Sequence, residues 1–251
     1  ANGDEVVNES GNDISADLDF TGTASLDDVT TASFPTAVII KTDSAEKEIE
    51  LPVVDDLLIE TDETLTASLS NITGGSGDQD INPANSSAQG TIIDNDNNVV
   101  VRLSVQQIGG EGTASGRLIS GDEEDLVYKL LLLNAADETL INATGSAITT
   151  NIVNSGTGTA VGADFTTALP AAAGTVYSIP SGAESVLIPF EVAEDGLAEG
   201  SETLDLRQEG TFTAAPGINI TGNTDAVQGS VRDNDSDDLR VRLTLLNNGS
   251  E

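Results

Sequence analysis

The feature that most constrains this chain is internal repetition: GTIIDND at Gly90–Asp96 returns as GSVRDND at Gly229–Asp235. EIELPVVDDLLIETDETLTASLSN, beginning at Glu48, returns as VLIPFEVAEDGLAEGSETLDLRQ, beginning near Val186. Both pairs lie 139 residues apart, Asp94 to Asp233 and Glu63 to Glu202. Further upstream, VVNESGNDISADLDF, ending at Phe20, aligns with IVNSGTGTAVGADFT around Phe165. After each DND a strand-like segment begins, VVVRLSV from Val99 and LRVRLTL from Leu239. A period of this size marks a string of similar small folds rather than one large core. The expected organisation is a partial repeat at 1–97 that lacks its first strands, a complete repeat at 98–237, and the first strand of a third at 238–251.

Within a repeat the periodicity is two, not 3.6. Ile49, Leu51 and Val53 alternate with polar or small residues, as do Ile188, Phe190 and Val192, and Leu65, Ala67 and Leu69 continue the pattern. That is the signature of strands with one buried face. Turn-forming clusters such as NITGGSGDQD, NSGTG and PSGAE separate the runs. Leu126–Leu133 has helical propensity, but its place between SGDEED and NAADE, with SAITTNIV following, predicts a buried strand. The fold expected is all-β, built from antiparallel sandwiches.

Composition narrows the function. A formal net charge of −34 repels phosphate backbones and anionic lipid surfaces, which excludes nucleic acid and membrane faces as partners and favours cations. The chain contains neither Cys nor His, so thiol chemistry, Fe–S ligation and the commonest transition-metal ligand are all missing. The apolar run Leu130–Leu133 is far too short for a membrane-spanning helix. Composition and charge together favour an extracellular setting, in which bound metal takes the stabilising part that disulfides play elsewhere.

The order of elements carries a family resemblance. An Asp-Phe pair, a Ser-Gly turn, a strand, an acidic loop of the D/E-D-x-x-x-E-x-x-E-T kind, a further strand and a closing G-x-x-x-D-N-D occur in sequence, and all but the first strands occur twice. This arrangement resembles the Calx-beta domain, an immunoglobulin-like sandwich of sodium/calcium exchangers and of large bacterial surface proteins. The resemblance covers nearly the whole chain. It implies tandem immunoglobulin-like sandwiches that bind Ca2+ through loop carboxylates.

Carried over to the complete repeat, the implied ligands are Glu111, Asp164, Glu194, Asp195, Glu199, Glu202, Asp233 and Asp235. In the partial repeat they are Asp19, Asp55, Asp56, Glu60, Glu63, Asp94 and Asp96. The counterpart of Glu111 falls before residue 1, and Glu251 is its counterpart in the next repeat. This sequence departs from the family pattern at Glu194, where Asp is usual, at Gly196 within the acidic run, and at Asn234 in the middle of the last block.

Elementary coordination chemistry agrees with the implied ligands, because calcium takes six to eight hard oxygens in flexible geometry from converging loops. An isolated acidic run is ordinarily just a solvated surface; the ordered recurrence of the whole set argues against that here. An EF-hand reading of DNDSDD fails, since Asp238 stands where Gly is needed and Thr244 where Glu is needed. GGSGDQDIN has Gln79 in place of a β-roll Asp and is read as a loop.

The function expected is a calcium-rigidified structural or adhesive segment of a large secreted cell-surface protein, in contact with neighbouring repeats. The alternative is a self-assembling subunit of an extracellular filament, sheath or surface layer, completed by strand exchange with other copies of itself. Catalysis, for example glycoside hydrolysis by two carboxylates, has no acid/base pair singled out to support it.

Overall fold

A computed structural model describes residues 6–77, 79–110, 125–194 and 199–233. The chain forms two compact units. The first comprises the described residues up to Asp56 together with Glu60–Asn95; the second comprises Leu57–Ile59 and the described residues from Asp96 onward. Among the described residues no helix is long and apolar enough to cross a membrane.

Both units are all-β. In the first part of the chain, β1 (Ile14–Gly22) and β2 (Ala37–Ile40) are followed by β3 (Leu58–Ile59), which belongs to the second unit, and then by β4 (Glu63–Gly74) and β5 (Ser87–Ile92). Next come β6 (Asn98–Gln107), β7 (Gly109–Gly110), β8 (Asp125–Leu133), β9 (Ile141–Asn142) and β10 (Ile148–Asn154). The last five are β11 (Thr175–Ile179), β12 (Ser185–Glu191), β13 (Glu202–Thr213), β14 (Asn219–Gly222) and β15 (Val227–Arg232).

The second unit is a sandwich. One sheet runs β11-β10-β13-β15-β7 and the other β12-β8-β6-β14. Most pairs are antiparallel, as expected, but β14 with β6, β15 with β7, and β3 with β9 are parallel. Alternation drives the assembly. Val99, Val101 and Leu103 of β6, Leu126, Tyr128, Leu130 and Leu132 of β8, and Ile188 and Phe190 of β12 face Ile148, Ile152, Leu204, Leu206 and Val231 in one core. Leu126–Leu133 is thus the buried strand expected. Tyr128 fastens the sheets: its hydroxyl donates to the Leu204 carbonyl and accepts from the Gly229 N–H at 3.0 Å. A Cβ at Gly229 would sit 2.6 Å from that hydroxyl, so the close approach requires glycine.

The first unit has one sheet among its described residues, ordered β2-β1-β4-β5. Its strands match those of the second unit: Leu18 stands opposite Leu69 as Ile152 stands opposite Gln208, and Glu63 opposite Ile92 as Glu202 opposite Val231. Here one expectation fails. Ile49, Leu51 and Val53 alternate as a strand should, and their counterparts lie in or beside β12, but no ladder forms at 46–52. Only the Val29–Val53 bridge is made, matching Phe165–Val192. In the second unit this stretch pairs along its length with β8; the first unit offers no such neighbour among the described residues, and a strand cannot exist without a ladder partner.

Candidate metal centres

Two triads of carboxylates are built by the same elements in the two units. Asp28, Glu60 and Glu63 each present an oxygen within 4.8 Å of the others, and so do Asp164, Glu199 and Glu202. Glu63 and Glu202 open β4 and β13 on the inward-facing positions, and Glu60 and Glu199 sit three residues earlier in the acidic loop. Asp28 and Asp164 are held by a short turn: each carboxylate accepts the backbone N–H three residues earlier, Ser25 or Val161, at 2.5 Å. Their own backbone carbonyls accept from Val54 and Ala193 at 2.9 and 2.8 Å, tying the turn to the segment that enters the acidic loop.

The closing DND supplies the fourth element. Asp94 accepts the Glu60 N–H at 3.0 Å, and Asp233 accepts the Glu199 N–H at 2.6 Å. Around the first triad a cavity of about 280 Å³ is lined by Asp28, Asp55, Asp56, Glu60, Glu63 and Asp94. The amide of Asn95 donates to Asp55 at 2.9 Å.

The crowding raises carboxyl pKa values in both triads. Burial, then the neighbouring Asp28 carboxyl, pushes Glu63 up to about 7. Burial, then Asp164 and Glu199, pushes Glu202 up to about 7. Burial and the charges of Asp28, Asp56, Asp94 and Asp27 also raise Glu60. Glu63 Oε2 is shielded from solvent with no hydrogen-bond donor on it, and the Glu63 carboxyl lies against that of Asp28. Two carboxyls in contact are stable only with a shared proton or a cation between them. The donor set, hard oxygens with one buried atom lacking a donor, therefore fits Ca2+.

Of the residues named from the sequence, Glu60 and Glu63 meet in one triad, and Asp164, Glu199 and Glu202 in the other. Asp55, Asp56 and Asp94 border the first, and Asp233 backs the second through the Glu199 N–H. Glu194 is exposed, and Glu111, Asp195 and Asp235 lie outside the described residues. Asp96 is buried and belongs to the second unit.

The structure does not bring Asp19 into either triad. It lies on the exposed face of β1 opposite Ser68, and its place in the triad is taken by Asp28. The Asp19–Phe20 pair resembles Asp164–Phe165, but β1 is the counterpart of β10, so Asp19 corresponds to Val153. The structural match of Asp164–Phe165 is Asp28–Val29, as the paired bridges Val29–Val53 and Phe165–Val192 show. The signal that finds Asp28 is a buried apolar residue after an Asp that lies 27 to 30 residues before the acidic loop, not a specific aromatic.

No family model matches the chain, and no curated protein matches it. Among solved structures it is similar to the apo form of the Calx CBD1 domain, at 11% identity and a TM-score of 0.35, over 54% of this chain and 98% of that one. It is also similar to the calcium-binding domain CBD12 of CALX1.1, at 15% identity and a TM-score of 0.32, over 89% of each chain. CBD12 from CALX1.2 matches at 12% identity and a TM-score of 0.34, over 90% of this chain and 89% of that one. Superpositions this loose place no residue of this chain on a ligand of those proteins.

Proposed function

We propose that this is a Calx-beta-type calcium-binding chain in which each unit holds calcium between its Asp turn and its acidic loop. In the first unit Asp28, Glu60 and Glu63 form the centre, with Asp55, Asp56 and Asp94 at its edge. In the second, Asp164, Glu199 and Glu202 form it; Asp195, Asp233 and Asp235, with Glu111 and Glu194, are the further ligands that the resemblance supplies. The observation that carries the proposal is the duplication: the same triad, the same Asp-turn hydrogen bond and the same DND-to-loop hydrogen bond recur in both units.

When bound, calcium supplies the positive charge that the triads lack. Two carboxylates about 4 Å apart repel by roughly 1 kcal/mol in water and about 4 kcal/mol at an effective dielectric of 20. The ion turns that repulsion into attraction and fixes the loop between the Asp turn and β4 or β13. The proposed setting is a secreted cell-surface protein in which such repeats act as calcium-stiffened structural or adhesive segments. The net charge of −34 and the composition favour it.

Isothermal titration with calcium tests the site assignment. Asp28→Asn and Asp164→Asn are each expected to remove or weaken binding in one unit and leave the other unchanged. Heats identical to the parent chain in both variants would contradict it.

A further inference from the structure

At one place in the matching strands β4 and β13 the second unit carries a charge that the first does not. Thr66 of β4 has Asp205 as its counterpart on β13. The neighbouring segment changes with it. In the first unit β1 runs on past Phe20 through Thr21, which stands opposite Thr66, to Gly22. In the second unit Gly158 takes the part of Gly22: a Cβ there would sit 2.2 Å from the Thr203 carbonyl oxygen, as one on Gly22 would sit 2.0 Å from that of Thr64. Ala24 and Ala160, two residues further on, donate to these same carbonyls at 3.1 and 2.9 Å. Phe20 and Asn154 also match, standing opposite Ala67 and Leu206. Thr21 alone is therefore replaced by three residues, Ser155, Gly156 and Thr157, which leave the ladder beside Asp205.

Asp205 is a carboxylate out of solvent with little to hold it. Between Leu204 and Leu206, which face the core, it lies on the outer side of its sheet, yet it is only 6% exposed. Its Oδ2 accepts the Thr157 hydroxyl at 2.6 Å, and its Oδ1 is shielded from solvent with no hydrogen-bond partner. Among the described residues no basic group pairs with it: Arg207, two positions along the strand, turns its guanidinium to Glu209 at 3.6 Å. A buried charge is costly unless it is paired or holds a metal. The groups around this one are oxygens. The Ser155 hydroxyl lies 2.8 Å from that of Thr157 and donates to the Asp205 backbone carbonyl at 2.9 Å. Thr157 is exposed, which opens the place to ions from solvent.

We propose that the second unit carries a further cation site, in which the Asp205 carboxylate and the hydroxyl oxygens of Ser155 and Thr157 hold a hard cation. Oxygen ligands alone select hard ions over soft ones. The single carboxylate matches the charge of Na+, and Ca2+ is the divalent ion of the same chemistry. The bound ion gives Oδ1 its counter-charge and fixes residues 155–157 to β13. The first unit has no equivalent, because Thr66 brings no charge and Thr21 stays in the ladder. The site is independent of the triads: Glu202 opens β13 on the inner side, whereas Asp205 lies on the outer side.

Thermal melting of the 251-residue chain with its triads disabled by Asp28→Asn and Asp164→Asn tests the proposal and keeps it separate from the triad assignment. Melts are compared in NaCl, CaCl2 and tetramethylammonium chloride at one ionic strength. A higher melting temperature in NaCl or CaCl2 than in the tetramethylammonium salt is expected, and the salt that raises it identifies the ion. Adding Asp205→Asn, which keeps an acceptor for Thr157, should abolish that difference. This variant should melt above its parent without the ion and below it with the ion, a crossover that general damage to the fold would not give. Replacing residues 155–157 by a single Thr, together with Asp205→Thr, copies the first unit's arrangement and should remove the response while the chain still folds. Melting of the triad-disabled chain that is the same in all three salts overturns the proposal. So does an ion response that Asp205→Asn leaves intact, which would reduce it to screening of the net charge of −34.

Discussion

The two units hold matching acidic centres on unequal foundations. Asp28 with Glu60 and Glu63 matches Asp164 with Glu199 and Glu202 in turn, hydrogen bonds and crowding. Yet among the described residues of the first unit the buried apolar ones are Ala16, Leu18 and Val29, whereas the second has a continuous core through both sheets. The centre is therefore a local construction: a turn, a loop and the starts of two strands suffice to assemble it. The core is not local, and it requires strands on both faces.

The largest expected effect tests that contrast directly. Leu204→Ala, in a position 1% exposed, should cost about 2–5 kcal/mol in denaturant unfolding. The matching Leu65→Ala, at a partly buried position, should cost about 1 kcal/mol, since a half-buried leucine gains only part of the full burial energy. Equal costs would mean that the first unit is as well covered as the second.

Next in size is the effect on calcium. Asp28→Asn and Asp164→Asn should each weaken their own centre at least tenfold, about 1.4 kcal/mol, by calorimetry. Asp19→Asn should change neither. An Asp19 effect equal to that of Asp28 would return the centre to the placement first expected from the Asp-Phe pair.

The pH response is smaller and has a definite sign. Glu63 and Glu202 rise from 4.5 to about 7 in the folded chain, so without metal the fold binds their protons more tightly than the unfolded chain does. That contribution is complete below about 4.5 and lost as pH rises through 7. In chelator the melting temperature should therefore fall between pH 5 and pH 8. With saturating calcium that fall should vanish, because the ion replaces the protons, and calcium affinity should drop below pH 7. A chelated melting temperature that rises with pH would contradict the crowding of the triads. Smallest of all is Lys41→Ala, which removes an exposed pair with Asp13 and should leave stability unchanged within error.

The sequence made the second half of each repeat legible, because acidic loop, strand and DND keep one spacing of 139 residues. The first half was not, for a physical reason. Length differences between β1 and Asp28, set against β10 and Asp164, slide the two repeats out of step, and the buried partner of the site aspartate is Val29 in one and Phe165 in the other. A core accepts either side chain, so identity of letters misleads where equivalence of burial does not. The alternation at Ile49, Leu51 and Val53 predicted a strand with one buried face, whereas Ile49 and Val53 are exposed and no ladder forms there. Periodicity tells which side is apolar; it cannot supply the neighbour that turns an extended segment into a ladder.

The central claim, that both acidic centres hold calcium, is tested most directly by the thermal melt of the 251-residue chain as calcium is added and then withdrawn. Free calcium at about 100 times its dissociation constant should stabilise each centre by about 2.7 kcal/mol, raising the melting temperature until EGTA reverses it. A melting curve that does not move across that cycle would contradict the account.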